Sequence, residues 1–377
     1  MKLSLSILLA SSSAQCPDES LGDLCFESCA DTKEGCVYKC DDADYTCETR
    51  CLAIETECRI ACPCSSGCPS GCSGCSSEFC GNGNLLIMDD NWKERRVGYN
   101  LNMATNSIQV ANVNYEHPVD FSMEDTCTVV FHGKTHFFGG FRNPRRFATL
   151  QNCRVVPNSY GLRYPHIDGI YGSCAVHANA VFMCFGNESA PLANRCQMWR
   201  EGQEGIDEPT TANEHDWAAM ISFNKKLLVV GGCSKNGPGC NGAVETYQAG
   251  DYDGWTSLTA HPATAGIFGH GLTTDGESVF LFGGMTKSLG ADSYNQSIWR
   301  FRNNTWSEIG TLQQVSSGAV VSTAFQMGRF AFSGEIYLER FNLVGDNVQS
   351  TRINAPDIDD MEMYYSSFLY TDEPICL

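Results

Sequence analysis

From residue 127 onward one phrase recurs, and it constrains the fold more than any other feature. A short apolar strand is followed by a polar turn, a second apolar strand and glycine. It reads TCTVVFHGKTHFFGG ending at Gly140, SCAVHANAVFMCFG ending at Gly186, WAAMISFNKKLLVVGG ending at Gly232 and GLTTDGESVFLFGG ending at Gly284. A weaker copy, VVSTAFQMGRFAFSG, ends at Gly334. The copies lie about 46 to 52 residues apart, the length of one four-stranded antiparallel propeller blade. The turns at Gly133 and Gly276 place glycine where a tight hairpin favours positive φ. Leu227 to Val230 and Val279 to Phe282 are β-branched or apolar throughout, as a strand covered on both faces requires. Both runs end at Gly-Gly after a few residues, too soon for a helix.

The spacing of aromatic residues after the glycine pairs resembles kelch repeats. Gly283-Gly284 is followed by Trp299 and Trp306, and Gly231-Gly232 by Tyr247 and Trp255. Gly139-Gly140 lacks the outer aromatic pair, Gly186 is single but keeps Trp199, and the last copy has Ser333-Gly334 and no tryptophan. The resemblance covers about residues 85 to 377 and implies an all-β, kelch-like β-propeller. It says little about activity, because propellers host many functions.

Five copies leave both ends of this region unassigned. Leu85 to Met88, Arg96 to Asn102 and Ile108 to Val113 read as three strands, and YYSSFLYTDEPIC as one more. Joined in space they would form a sixth blade and remove the sheet edges. Six blades are expected, with seven as the alternative. Cys233 and Cys240 bracket a Gly-rich loop and suit a short-range disulfide. Bridges are also expected among Cys127, Cys153, Cys174, Cys184 and Cys196, and Cys376 is expected to reach the N-terminal module near Cys80.

The residues ahead of this region are of another kind. MKLSLSILLASSSAQC has a lysine, a short apolar run and small residues before Ala14, so residues 1–14 read as a secretory signal peptide and not as a membrane span. All 22 cysteines follow it, 14 of them before residue 81, which suits disulfides in an oxidising compartment. Residues 15–80 read as a cysteine-rich module. Cys25, Cys29, Cys36, Cys40, Cys47, Cys51, Cys58 and Cys62 repeat every 11 residues, three helical turns, so helical CxxxC repeats over 24–62 would carry one cysteine stripe. That stripe needs a second one. An α-hairpin turning at Asp41 to Thr46, two smaller hairpins, or a long helix paired with another chain would each supply it. Residues 63–80 read as a loop-rich knot held by disulfides, with zinc at Cys72 and Cys75 the weaker reading.

The net charge of -19 argues against nucleic acid as a partner. Asn187, Asn295 and Asn303 begin N-glycosylation sequons. Kelch propellers include copper-radical oxidases, but no crosslink motif or converging His/Tyr set is legible among the eight histidines. His132 and His136 flank a hairpin turn, and His270 is expected to serve through structural hydrogen bonds. No Gly-x-Ser-x-Gly element is present, and TTDGESVF departs from the sialidase turn. Arg142, Arg145 and Arg146 form the one basic cluster in a loop and are the candidate ligand contact. The resulting expectation is a secreted, non-catalytic binding protein with no cofactor, contacting an extracellular protein or glycan. A propeller oxidase or glycan hydrolase is the enzyme alternative. A disulfide-linked matrix component, assembling as a homo-oligomer through the cysteine-rich module, is the third.

Overall fold

The computed structural model describes residues 84–376 with interruptions, the longest being 115–125, 163–173, 186–193 and 354–365. The signal peptide, the eleven-residue cysteine repeat and the knot lie outside the described residues.

Twenty-six strands and no helix make up the described chain. Five four-stranded antiparallel sheets are each built from one stretch of chain. The first joins β4 (Thr126–Phe131), β5 (Lys134–Gly139), β6 (Phe147–Gln151) and β7 (Arg154–Pro157). The second joins β8 (Cys174–His177), β9 (Ala180–Cys184), β10 (Cys196–Trp199) and β11 (Ile206–Glu208). The third joins β12 (Ala219–Phe223), β13 (Lys226–Val230), β14 (Val244–Tyr247) and β15 (Thr256–Ser257). In the fourth, β16 (Gly271–Thr274) and β17 (Val279–Phe282) pair with β20 (Ser297–Arg302) and β21 (Thr305–Thr311). A separate hairpin, β18 (Met285–Ser288) and β19 (Ala291–Tyr294), is inserted between β17 and β20. The fifth joins β22 (Ser316–Val321), β23 (Phe325–Phe330), β24 (Ile336–Asn342) and β25 (Gln349–Ile353).

A further four-stranded sheet is composite. β1 (Asn84–Asn91), β2 (Arg95–Asn102) and β3 (Ile108–Ala111) are completed by β26 (Ser366–Thr371), which pairs antiparallel with β1 from Asn84–Thr371 to Asp89–Ser366. First strands stand side by side in the order β26, β4, β8, β12, β16, β22. This is a β-propeller arrangement.

The core lies between sheets rather than within one. Phe182, Cys184 and Met198 of the second sheet pack on Met220, Leu227 and Val229 of the third. Leu228, Val230 and Val244 of the third pack on Val279, Leu281 and Phe301 of the fourth. The second strands β9, β13 and β17 are therefore covered on both faces, which is why AVFMC of β9 and VFLF of β17 are buried throughout. Phe280 and Phe282 are among the largest fully buried side chains. Burying each contributes about 1.5–3 kcal/mol.

The sheets share a backbone clip. The amides of Gly139, Phe185 and Gly231 donate to the carbonyls of Arg146, Arg195 and Ala243 at 2.8, 2.9 and 2.8 Å. Leu162, Thr211, His261 and Leu312 donate to the carbonyls of Arg145, Asn194, Gly242 and Gln296. The positions of the glycine pair need left-handed backbone: Gly231 and Gly232 have φ of 66° and 97°, and the pairs at 139–140 and 283–284 match them. In the second sheet Phe185 takes the first of these positions with φ 61°.

Outer aromatic residues tie successive sheets. Trp255 Nε1 donates to Pro209 O at 2.9 Å, and Trp306 Nε1 to Thr259 O at 3.2 Å. Tyr247 stacks on Trp255, while Trp299 and Trp306 flank the His261 ring.

Four disulfides join all eight described cysteines: Cys127–Cys174, Cys184–Cys196, Cys233–Cys240 and Cys153–Cys376. The expectation that Cys376 reaches toward Cys80 is corrected. The carbonyl of Cys376 accepts from Asn112 N, which seats the residue beside the turn between β6 and β7, within reach of Cys153.

Candidate functional site

Each first strand begins, and each second strand ends, at one mouth of the propeller arrangement. The loops joining second to third strands therefore share that mouth. They hold the Arg145–Arg146 segment, the Cys233–Cys240 loop and the β18–β19 hairpin.

The best-defined part of this mouth lies between the third and fourth sheets. Asp216 and Cys233 exchange two backbone hydrogen bonds, at 3.1 and 2.6 Å, and Ser234 Oγ donates to Glu214 Oε2 at 2.5 Å. Asn241 Nδ2 donates to Glu214 O at 2.8 Å. Phe268 and Met285 also exchange two backbone bonds, which anchor the start of β18. A Cβ on Gly232 would come within 2.7 Å of the His215 backbone. Glycine at that position lets the Glu214–Trp217 segment lie flat against the loop.

That segment ends on Trp217. It is 43% exposed, although the strand that follows runs into the core. Its φ is 61°, a conformation rare for a bulky residue and costing about 1–3 kcal/mol. Gly269 N donates to its carbonyl at 2.9 Å, and its ring lies 5.7 Å from that of Phe268. The strained backbone thus holds an indole outward on a ledge stapled by a disulfide and two backbone bridges.

Beneath it His215 and Glu245 form a buried pair, both side chains 0% exposed. His215 Nε2 is 2.7 Å from Glu245 Oε2, and Nδ1 is 2.5 Å from Gly231 O. Both partners offer acceptor oxygens to the ring. Burial alone would raise the Glu245 carboxyl, but the His215 contact and the amides of Ala212 and Asn213 outweigh it and hold it below its usual value. With no solvent access, the pair serves as a fastener.

In the next sheet Trp299 takes the place of Glu245, by the pairing Leu281–Trp299 against Val229–Glu245, and Ile267 that of His215, by the bridge Phe268–Met285 against Asp216–Cys233. Trp299 has no acceptor to offer. Both His270 nitrogens, His261 Nε2 and Trp299 Nε1 are buried without hydrogen-bond partners. The expected structural hydrogen bonds of His270 are therefore absent among the described residues. Burial, with a smaller contribution from the nearby His261, pushes His270 down to about 3, and burial pushes His261 to about 4. His136 is driven to about 4, chiefly by burial among Phe131, Phe138 and Trp199. Its turn neighbour His132 is exposed and faces Asn179 and Glu201.

Arg145 and Arg146 are exposed at the same mouth, in the β5–β6 loop, with their carbonyls engaged in the repeated clip. Arg142 lies outside the described residues. Nothing in the sequence marked Trp217, because a left-handed tryptophan leaves no signature in the alternation of strand and turn. Among the described residues no group of three or more His, Cys, Asp or Glu side chains could hold a metal ion. Among the same residues no helix is long and apolar enough to cross a membrane.

No protein-family model matches the chain, and no curated protein matches it. Similarity appears at the level of fold. The solved structure of YjhT, a propeller, superposes with a TM-score of 0.53 at 13% identity, covering 68% of this chain and 91% of that one.

Proposed function

We propose that the chain is a secreted, non-catalytic binding protein whose kelch-like propeller presents a glycan-binding mouth built around Trp217. In this reading the composite sheet of β26 and β1–β3 is the sixth blade and closes the ring. The Trp255 and Trp306 ties between successive sheets support the kelch-like repeat. Four disulfides support an oxidising compartment.

The observation that carries the reading is the exposed, strained Trp217 on a rigid ledge. An indole face is electron-rich and broad, and suits stacking against the C–H face of a sugar ring. Glu214 and Ser234, both part-exposed, stand beside it to orient hydroxyl groups. Its rigidity reduces the ordering cost of binding.

The test is a glycan array probed with the secreted chain, followed by calorimetry on any hit. Trp217→Ala is expected to lower affinity at least tenfold with the thermal midpoint unchanged or raised, since alanine relieves side-chain crowding in the left-handed backbone. Equal binding by the variant and the parent would reject the site.

A further inference from the structure

The chain carries two sequons within the described residues, and the fold treats them in opposite ways. Asn295 opens Asn295-Gln296-Ser297 and Asn303 opens Asn303-Asn304-Thr305.

Asn295 is a working part of the loop that ends at β20. Its Nδ2 donates to Gly283 O at 2.8 Å and to Ser297 O at 3.2 Å, while its Oδ1 accepts from Ser297 N at 3.2 Å. Its backbone amide donates to Gly284 O, as that of Asn241 does to Gly232 O one sheet earlier. Asn241 Oδ1 likewise accepts from Ala243 N. The two asparagines are equivalent closures of the glycine turn. Both hydrogens of the Asn295 amide are in use, in a half-buried setting.

Asn303 has the reverse character. It and Asn304 form the two-residue turn between β20 and β21, with φ of 50° and 58°, flanked by the pair Arg302–Thr305. Arg302, Asn303, Asn304 and Thr305 are all exposed. Asn304 is engaged through Oδ1, which accepts from Thr259 N at 2.9 Å. The Asn303 side chain makes no hydrogen bond among the described residues, so a substituent on Nδ2 displaces nothing.

We infer that Asn303 is an N-glycan acceptor and that Asn295 is not one in the folded chain; this rests on the secretory reading above. Its Nδ2 would attack the anomeric carbon of a lipid-pyrophosphate-linked oligosaccharide. A C–N bond forms, the C–O bond to pyrophosphate breaks, and one amide proton leaves as the lipid pyrophosphate departs. Transfer precedes folding, so both sequons meet the enzyme. A chain glycosylated at Asn295 loses at least one of the bonds that close the loop and fails to join the folded pool. The six residues of β20 place Asn303 about 20 Å from the Gly283–Gly284 mouth, on the opposite end of the sheet from Trp217.

The experiment expresses the full chain in a glycosylating eukaryotic host, once with its own N-terminus and once behind a known secretory leader. Secreted protein is mapped by mass spectrometry after enzymatic deglycosylation in heavy-oxygen water. The expected result is label at position 303 and none at 295. Asn303→Gln should remove that site's mass increment without lowering yield, and Asn295→Gln should lower secreted yield while leaving position 303 occupied. Label at 295 in monomeric secreted protein, or an unoccupied 303 behind the supplied leader, overturns the inference. A chain that carries label at 303 only behind the supplied leader overturns the secretory reading and leaves the acceptor assignment standing.

Discussion

At the residue scale, one register position shows how far the repeats have diverged. In the third sheet it holds Glu245, which fastens His215; in the fourth it holds Trp299, whose ring lies against His261. Glu245→Ala should strip the His215 ring of its main partner in a site with no solvent. The expected loss is about 3–5 kcal/mol, read as a lower urea midpoint at constant slope. A loss under about 1 kcal/mol would show that the pair is not a fastener. The glycine pairs were legible because only glycine tolerates φ near 100° against a neighbouring backbone. Phe185 was not: it adopts the same backbone without the residue that advertises it.

At the scale of elements, the strands of the first hairpins and the joining of the two ends were legible. β-branched and aromatic runs ending in Gly-Gly admit few other readings, and unpaired apolar strands at both ends need partners. The β18–β19 hairpin was missed because MTKSLGADSY has neither strong alternation nor an apolar run. The partner of Cys376 was missed because disulfide pairing depends on where loops meet, and spacing does not encode that. The Cys153–Cys376 bridge spans 223 residues of chain, so its removal should enlarge the unfolded ensemble considerably. Cys376→Ser together with Cys153→Ser is expected to cost about 2–5 kcal/mol. Limited proteolysis should then release the segment holding β26 first. An unchanged cleavage order would mean that strand pairing alone holds β26.

At the scale of the whole molecule, three buried histidines, two of them close enough to interact, make the fold acid-sensitive. His136, His261 and His270 each have folded values depressed below 6.5, to about 4, 4 and 3. Between those values and 6.5 the unfolded chain binds more protons than the folded one, so stability falls as pH drops through this window. Above 6.5 these groups contribute no slope. Around His136 stand Lys134, Glu201 and His132, and their mixed signs leave burial dominant. Urea melts at pH 7, 6, 5 and 4 should show a declining midpoint, and His270→Leu should flatten part of the decline. A midpoint that is level down to pH 5 would contradict the buried placement.

The composite sheet also has a consequence in time. The ribosome delivers β1, β2 and β3 early, yet the strand that covers the free edge of β1 comes some 270 residues later. For most of translation that edge has no partner, while the five sheets made from consecutive strands can form as they emerge. The composite sheet thereby waits on β26, and a chain stopped short of that strand would display an open strand edge by which a cell's surveillance machinery could recognise it.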